Sequence, residues 1–145
     1  MITSKIRHFN DLSQKELHDA LALRCAVFIV EQQCIYPDLD YRDENAQHVL
    51  MYEDHELIAC ARILPYTDGE SMSFGRLCTA TKYRGQGLGK KMMDIISNYL
   101  KEHHPKETVI ITAQYQLQAF YQQYEFEPRG VPFDMDGMPH ILMVR

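Results

Sequence analysis

The sequence predicts a mixed α/β fold, and three observations carry that expectation. Stretches with apolar residues at helical spacing alternate with short apolar runs that suit strands. Residues 48–66, "HVLMYEDHELIACARILPY", hold two apolar runs around "EDHE", the pattern of an antiparallel hairpin. Residues 83–96, "YRGQGLGKKMMDII", set three glycines at alternate positions directly ahead of an amphipathic stretch. A strand therefore feeds a helix through a glycine turn.

Each element has its own signal. The first strand is expected at Ser4–Phe9. Ser13 followed by Glu16 is a capping-box signature, and Leu17, Leu21 and Phe28 carry a helix on to about Ile29. Residues 31–47, "EQQCIYPDLDYRDENAQ", read as a loop, because Pro37 and the crowd of Asp and Asn break any period. After the hairpin, a turn at Thr67-Asp68-Gly69 leads to a strand from Ser71 to about Thr79. Leu88, Met92, Ile95, Ile96 and Tyr99 form one helical face, with Lys90, Asp94, Ser97, Asn98 and Lys101 opposite. That helix ends near His103-His104-Pro105, since proline disfavours helix at its predecessor. Then come a buried strand at 108–114, a short helix at 117–124, "FEPRG", a long loop holding Pro132, Gly137 and Pro139, and a last strand "HILMVR". The middle meander should be antiparallel. The strand at 71–79, the helix and the strand at 108–114 form a parallel crossover.

The 145 residues suffice for a single domain, 1–145, and 46% hydrophobic content supports a core. A formal charge of −5 argues against a nucleic-acid binder. Cys25, Cys34, Cys60 and Cys78 form no Cys-x-x-Cys pair, which argues against a zinc site and a disulfide framework; no metal is expected. The start "MITSKIRHFN" has no apolar run, and no stretch approaches the ~18 apolar residues of a membrane span, so the expected setting is cytoplasmic, away from membranes.

The glycine turn fits neither common nucleotide pattern. Three residues separate Gly85 from Gly89 where a Walker loop has four, and Lys90 is followed by Lys91. Gly89 comes two after Gly87 where the dinucleotide fingerprint needs three. The pattern Arg84, Gly87, Gly89 suits a pyrophosphate instead. First-turn amides lack internal partners, the helix dipole adds roughly half a positive charge, and glycines admit a close approach. Arg84 and Lys90 would add charge at the rim. A plain helix-capping turn competes for the glycines, but explains neither three of them nor the flanking bases.

The surrounding residues narrow the choice. "FGRLCTATKYRGQGLGKKMMD" resembles the acyl-CoA-binding core of the GNAT superfamily of N-acetyltransferases, and "ITAQYQLQAFYQQYEFEP" is similar to the strand and helix that follow it there. "LALRCAVFIVEQQCIYPDLDYRDE", "ARILP", "GRLC", "AQYQLQAFY" and "DGMPHILM" resemble the ElaA-like subgroup, in order along nearly the whole chain. The resemblance implies a three-layer α/β/α arrangement, a largely antiparallel sheet in which a parallel strand pair splays to hold acyl-CoA. It implies that Leu77, Cys78 and Thr79 offer backbone groups to the pantetheine arm and thioester carbonyl. Arg84, Gly85, Gln86, Gly87, Leu88, Gly89 and Lys90 would cradle the pyrophosphate. Tyr121 matches the tyrosine near the thioester sulfur, a general acid for the CoA thiolate. Two departures stand out. Gln114 occupies a position that is often Asn, and Glu125 replaces the usual glycine before Phe126, so a strained turn is expected there.

The implied reaction moves acetyl from acetyl-CoA to a primary amine by direct attack in a ternary complex. The family's strand glutamate falls at about Ser73, so the base must be found elsewhere. Glu31 belongs to the ElaA-like signature and is a candidate site residue. His48 and His140 are candidate bases, each more often a surface or satisfied histidine. Arg24 shares a helix face with Leu17, Leu21 and Phe28 and would pair with Glu31 or another buried acid. Glu31, Asp38, Asp40, Asp43 and Glu44 outnumber Arg42 locally, which would suit a cationic acceptor, although Asp43 and Glu44 read better as solvated loop. Two alternatives stay open: a CoA-binding sensor without catalysis, and an enzyme akin to acyl-homoserine-lactone synthases. Oligomeric state, a homodimer included, is also open.

Overall fold

The computed structural model describes residues 1–145 and places seven strands and three α-helices in the order expected. β1 (Ile2–His8), β2 (Gln47–Glu53), β3 (Glu56–Pro65) and β4 (Met72–Thr79) form an antiparallel sheet in chain order. β5 (Ile110–Gln114), β7 (Met138–Val144) and β6 (Glu127–Met135) form a second sheet, in that order. The helices are α1 (Gln14–Arg24), α2 (Leu88–His103) and α3 (Gln118–Gln122).

The expected parallel pair is β4 and β5, but they are joined at a single point. Met72 bridges Val109, and the Met72 amide donates to the Thr108 carbonyl at 2.9 Å. Beyond that bridge the strands part, and the gap between them is the mixed, splayed α/β architecture that the sequence led us to expect.

Strand alternation sorts the core into two layers. Val49, Met51, Ala59, Ala61 and Ile63 face α2 and meet Leu88, Met92, Met93, Ile96 and Leu100. Leu50, Leu57, Cys60 and Cys78 face the other way, onto Ala20 of α1 and Val27. Phe126 anchors the α3 end: Phe74 packs edge-on to it at 5.7 Å between ring centroids.

Several boundaries differ from the sequence reading. The first strand begins at Ile2 and stops at His8. Ser13 makes the full capping box with Glu16, but α1 ends at Arg24 and the wind widens to π turns over Cys25–Glu31. The long final loop is mostly strand. β6 runs to Met135 and turns through Asp136 and Gly137, both at positive φ, into β7. Pro132 is tolerated because β6 is an edge strand and its register shifts between Arg129 and Phe133. Proline and glycine there mark a bulge and a hairpin, not a loop.

Candidate functional site

A cleft of about 1010 Å³ opens along the gap between the two sheets. Ser73–Thr79 line one wall, Ile111, Thr112 and Gln114 the other, and α2 and α3 close the back. Every residue expected to bind the donor lines it except Gln86, which is exposed on the turn.

At one end is the glycine turn. Gly85 and Gly87 have φ of 79° and 77°, left-handed values that disfavour any side chain. Gly87 caps α2 with no side-chain hydrogen bond, and the first internal bond runs from the Lys91 amide to the Gly87 carbonyl. The amides of Leu88, Gly89 and Lys90 are therefore free of intrahelical partners, and all three residues line the cleft.

Arg84 is held from both sides. Its guanidinium donates to the Thr79 carbonyl at 3.2 and 3.0 Å and to both carboxylate oxygens of Glu31. The Thr79 carbonyl is thus engaged within the protein. Glu31 also accepts from the Thr81 hydroxyl at 3.1 Å and lies off the cleft wall. The hydrogen bonds from Arg84 hold its carboxyl below the usual glutamate range. A carboxylate so engaged is a poor proton acceptor and a good brace for Arg84.

Midway, β4 carries a bulge. Cys60 pairs with Cys78 and Arg62 with Gly75, so Arg76 and Leu77 together face Ala61. Arg76 takes φ of 49°, a left-handed residue inside a strand. The interrupted ladder leaves the Leu77 backbone at the cleft wall, in the segment expected to meet the thioester carbonyl.

Tyr121, on α3, lines the same cleft. Its ring is buried beside Phe74, Phe120 and Phe126, and the residue is only 8% exposed. Burial pushes its pKa up to about 12, so the phenol stays protonated at neutral pH. No hydrogen bond from another residue acts on its hydroxyl, and the residue lines the cleft. Glu125 follows α3 at φ of 73°, the strained turn expected where glycine is absent.

The two histidines part company. His48 is 2% exposed, bonds the Asp43 carbonyl through Nε2 at 3.0 Å and packs by Phe9, with burial pushing its pKa down. It is a satisfied core histidine. His140 lines the cleft, and its Nδ1 lies 2.8 Å from the Met138 carbonyl. A carbonyl only accepts, so Nδ1 is the donor there, and in the neutral ring the lone pair belongs to Nε2.

Glu44 is exposed, as expected of a solvated loop, but the rest of the acidic segment behaves otherwise. Asp38 and Asp43 are buried, and arginines from distant positions neutralise them. Arg24 pairs with Asp38 and Asp43, each at 2.9 Å, rather than with Glu31. Arg62 bonds Asp40 at 2.8 and 2.6 Å and Asp43 at 2.9 Å. Arg76 reaches Asp38 at 2.9 Å and Asp40 at 3.5 Å. The Arg62 hydrogen bonds hold Asp40 far below the usual aspartate range. For Asp43, burial pushes upward, but bonds from Arg24 and Arg62 outweigh it and the net direction is down. The expectation of an acidic mouth for a cationic acceptor is therefore corrected. Arg62 and Arg76 were not expected in the site, although an arginine inside the apolar run "LIACARILP" is itself a sign of a buried partner.

All four cysteines are free, and Cys60 and Cys78 approach to 3.7 Å between sulfurs. No helix is long and apolar enough to cross a membrane.

Comparison with known proteins agrees with this geometry. Residues 10–145 match the acetyltransferase (GNAT) domain family. Protein ElaA of Escherichia coli is 38% identical over 148 residues, covering 100% of this chain and 97% of ElaA. Its crystal structure superposes with a TM-score of 0.94, covering 100% of this chain and 99% of that one. An acyl-CoA N-acyltransferase from Pseudomonas aeruginosa, 33% identical, superposes with a TM-score of 0.95 over 100% of this chain and 99% of its own. The acyl-homoserine-lactone synthase LasI shares the fold at 15% identity, with a TM-score of 0.80 over 99% of this chain and 89% of LasI.

Proposed function

The chain belongs to the acetyltransferase (GNAT) family, and from that premise we propose that it is an acyl-CoA-dependent N-acyltransferase moving acetyl from acetyl-CoA to a primary amine. The observation that carries this reading is one cleft holding both ends of the donor's chemistry. Three unpartnered amides sit at the α2 N-terminus, and the free Tyr121 hydroxyl lies further along the same wall. A pyrophosphate suits the first, and a departing thiolate suits the second.

In this reading acetyl-CoA lies in the gap between β4 and β5. The amides of Leu88, Gly89 and Lys90 bind the pyrophosphate, with Arg84 at the rim held by Glu31. Glu31 is then a positioning residue. The bulge presents the Leu77 backbone to the thioester carbonyl. His140 Nε2 takes a proton from the incoming ammonium, and the neutral amine attacks the thioester carbon. As the C–S bond breaks, Tyr121 donates a hydrogen bond to the sulfur. With its pKa near 12 it shares that proton more readily than it surrenders it, so the nitrogen, cationic once bonded to carbon, releases its second proton to solvent, and solvent protonates the thiolate.

Acetyl-CoA at saturation should raise the melting temperature of the protein, and an amine panel should release CoA. Tyr121→Phe should lower kcat by about 10²-fold with little change in acetyl-CoA binding. Unchanged turnover in that variant removes the thiolate role. No thermal shift with acetyl-CoA removes the donor reading altogether.

A further inference from the structure

We infer that the acceptor carries a carboxylate as well as the amine: the cleft beyond Tyr121 is built for a small amino carboxylate. This rests on the reading of the other end as the acyl-CoA site and names the class of molecule that meets it.

Position comes from strand register. Ala59 pairs with Thr79 beside the glycine turn, whereas Arg62 pairs with Gly75 and Leu64 with Ser73. Arg62 therefore sits about 10 Å further along the sheet, past the bulge, at the rise of a strand. Arg42, Arg62 and Arg76 all line the cleft at this end.

Charge comes next. The cluster contains four guanidinium groups, on Arg24, Arg42, Arg62 and Arg76, and three carboxylates, on Asp38, Asp40 and Asp43. One positive charge is left over. On this wall a cationic acceptor without an anionic group meets surplus guanidinium charge.

Hydrogen-bond capacity gives the same answer independently. Asp40 accepts from two Arg62 nitrogens and from the Arg42 amide at 3.0 Å, and faces Arg76 at 3.5 Å. The Asp38 carboxylate accepts from Arg24 and from the Tyr36 hydroxyl at 2.6 Å, with Arg76 Nε 2.9 Å away as an ion pair. Asp43 accepts from Arg24 and Arg62 on one oxygen. The only one of these carboxylates on the cleft wall, Asp40, accepts three hydrogen bonds, and Arg76 stands 3.5 Å from its less occupied oxygen, so it is largely committed to the arginines. Donors remain in excess. Arg62 Nε and Arg76 Nε are buried with no hydrogen-bond partner, and the donor open to a ligand is the more exposed Arg42, which makes one side-chain bond, to the Pro65 carbonyl at 2.8 Å. What this wall lacks is an acceptor atom. A carboxylate supplies two, in the planar form a guanidinium matches.

The facing wall completes the polarity. The β6–β7 hairpin contributes Asp136 and His140 to the cleft, and the Cys34 thiol holds the hairpin turn by donating to the Asp136 carbonyl at 3.2 Å. The Asp136 carboxylate has no cationic partner, so the amine has a negative neighbour and a base on the wall opposite the arginines. An amine and a carboxylate in one small molecule satisfy both walls.

The experiment uses the full chain at saturating acetyl-CoA and follows CoA release with matched pairs: each common amino acid and its carboxamide. The carboxamide's amine is less basic and more often neutral, so chemistry alone favours it. We expect at least one acid to exceed its amide about tenfold in kcat/KM, through KM, as a lost charge-assisted bond would require. Arg42→Gln should collapse that ratio toward one, and Arg42→Lys should restore part of it. Amides used as well as or better than every acid overturn the inference, as does a ratio that Arg42→Gln leaves intact. No turnover of any pair, while acetyl-CoA still shifts the melting temperature, overturns it too and leaves the donor site standing. Loss of that shift strikes the donor reading itself.

Discussion

The two ends of the cleft are built by opposite means. At the glycine turn the groups on offer are main-chain amides from one contiguous stretch, residues 84–90, and their geometry follows from two left-handed glycines and a helix start. At the arginine end they are side chains from α1, the 38–43 segment, β3 and β4, separated in sequence by up to 52 residues between Arg24 and Arg76 and joined only by folding. One end is local and nearly independent of its surroundings. The other exists only if the tertiary structure is intact, and in turn helps to hold it together.

The largest expected effect breaks the second end. Arg62 is 4% exposed, and its loss leaves Asp40 without its main partner and Asp43 with Arg24 alone. Removing one member of a buried ion network typically destabilises by about 3–5 kcal/mol. Arg62→Met should lose that much in urea unfolding. Asp40→Asn combined with it should recover part, because the stranded charge is gone. A single-variant loss below about 1 kcal/mol, the range of exposed pairs, would mean the network is solvated.

The glycine turn should respond in the reverse proportion. Gly87→Ala places a side chain at φ of 77° and should cost about 1–2 kcal/mol, with acetyl-CoA binding weakened because the α2 amides swing away. Gly89→Ala is the control. Gly89 has no left-handed φ, and a Cβ there would meet only the Phe120 ring at 3.7 Å, an ordinary contact. It should leave stability intact and weaken acetyl-CoA only where a phosphate comes close. Equal stability losses in both would assign the turn to packing and not to anion binding.

The same contrast explains what could be read from the chain. The capping box at Ser13, the α2 face and the glycine turn are each encoded within a few residues of one another, whereas the splay of β4 from β5 came from the resemblance to a known family. Asp43 looked like loop because its partners, Arg24 and Arg62, lie nineteen residues away on either side. Glu31 looked like a chemical group because nothing local showed that Arg84 would bind it. The β6–β7 hairpin was hidden by Pro132 and Gly137, residues that end most strands but are admitted at an edge and in a two-residue turn. His140 could be named as a candidate base, but its tautomer depends on the Met138 carbonyl two residues back, a detail of that turn.

The smallest expected effect lies behind the donor end. Glu125 sits at φ of 73° where α3 gives way to β6, between Tyr124 and the buried Phe126. A side chain in that region is strained, and glycine is not. Its amide bonds the Gln122 carbonyl at 3.2 Å, a main-chain contact that any residue can make, and its carboxylate makes no hydrogen bond or ion pair. Glu125→Gly removes strain but also gives freedom to the unfolded chain, and the two oppose each other. The left-handed penalty of about 1 kcal/mol should prevail over the entropy of a residue already in a turn, for a net gain of a few tenths to about 1 kcal/mol. The melting temperature should rise slightly, and kcat should hold, because the Tyr121 ring is packed by Phe74 and Phe126 and the Tyr124 and Phe126 amides that bond its carbonyl are kept in the variant. A fall in kcat with stability preserved would show that the strained turn sets the angle of Tyr121, tying even the local end of the cleft to a contact made outside its own motif.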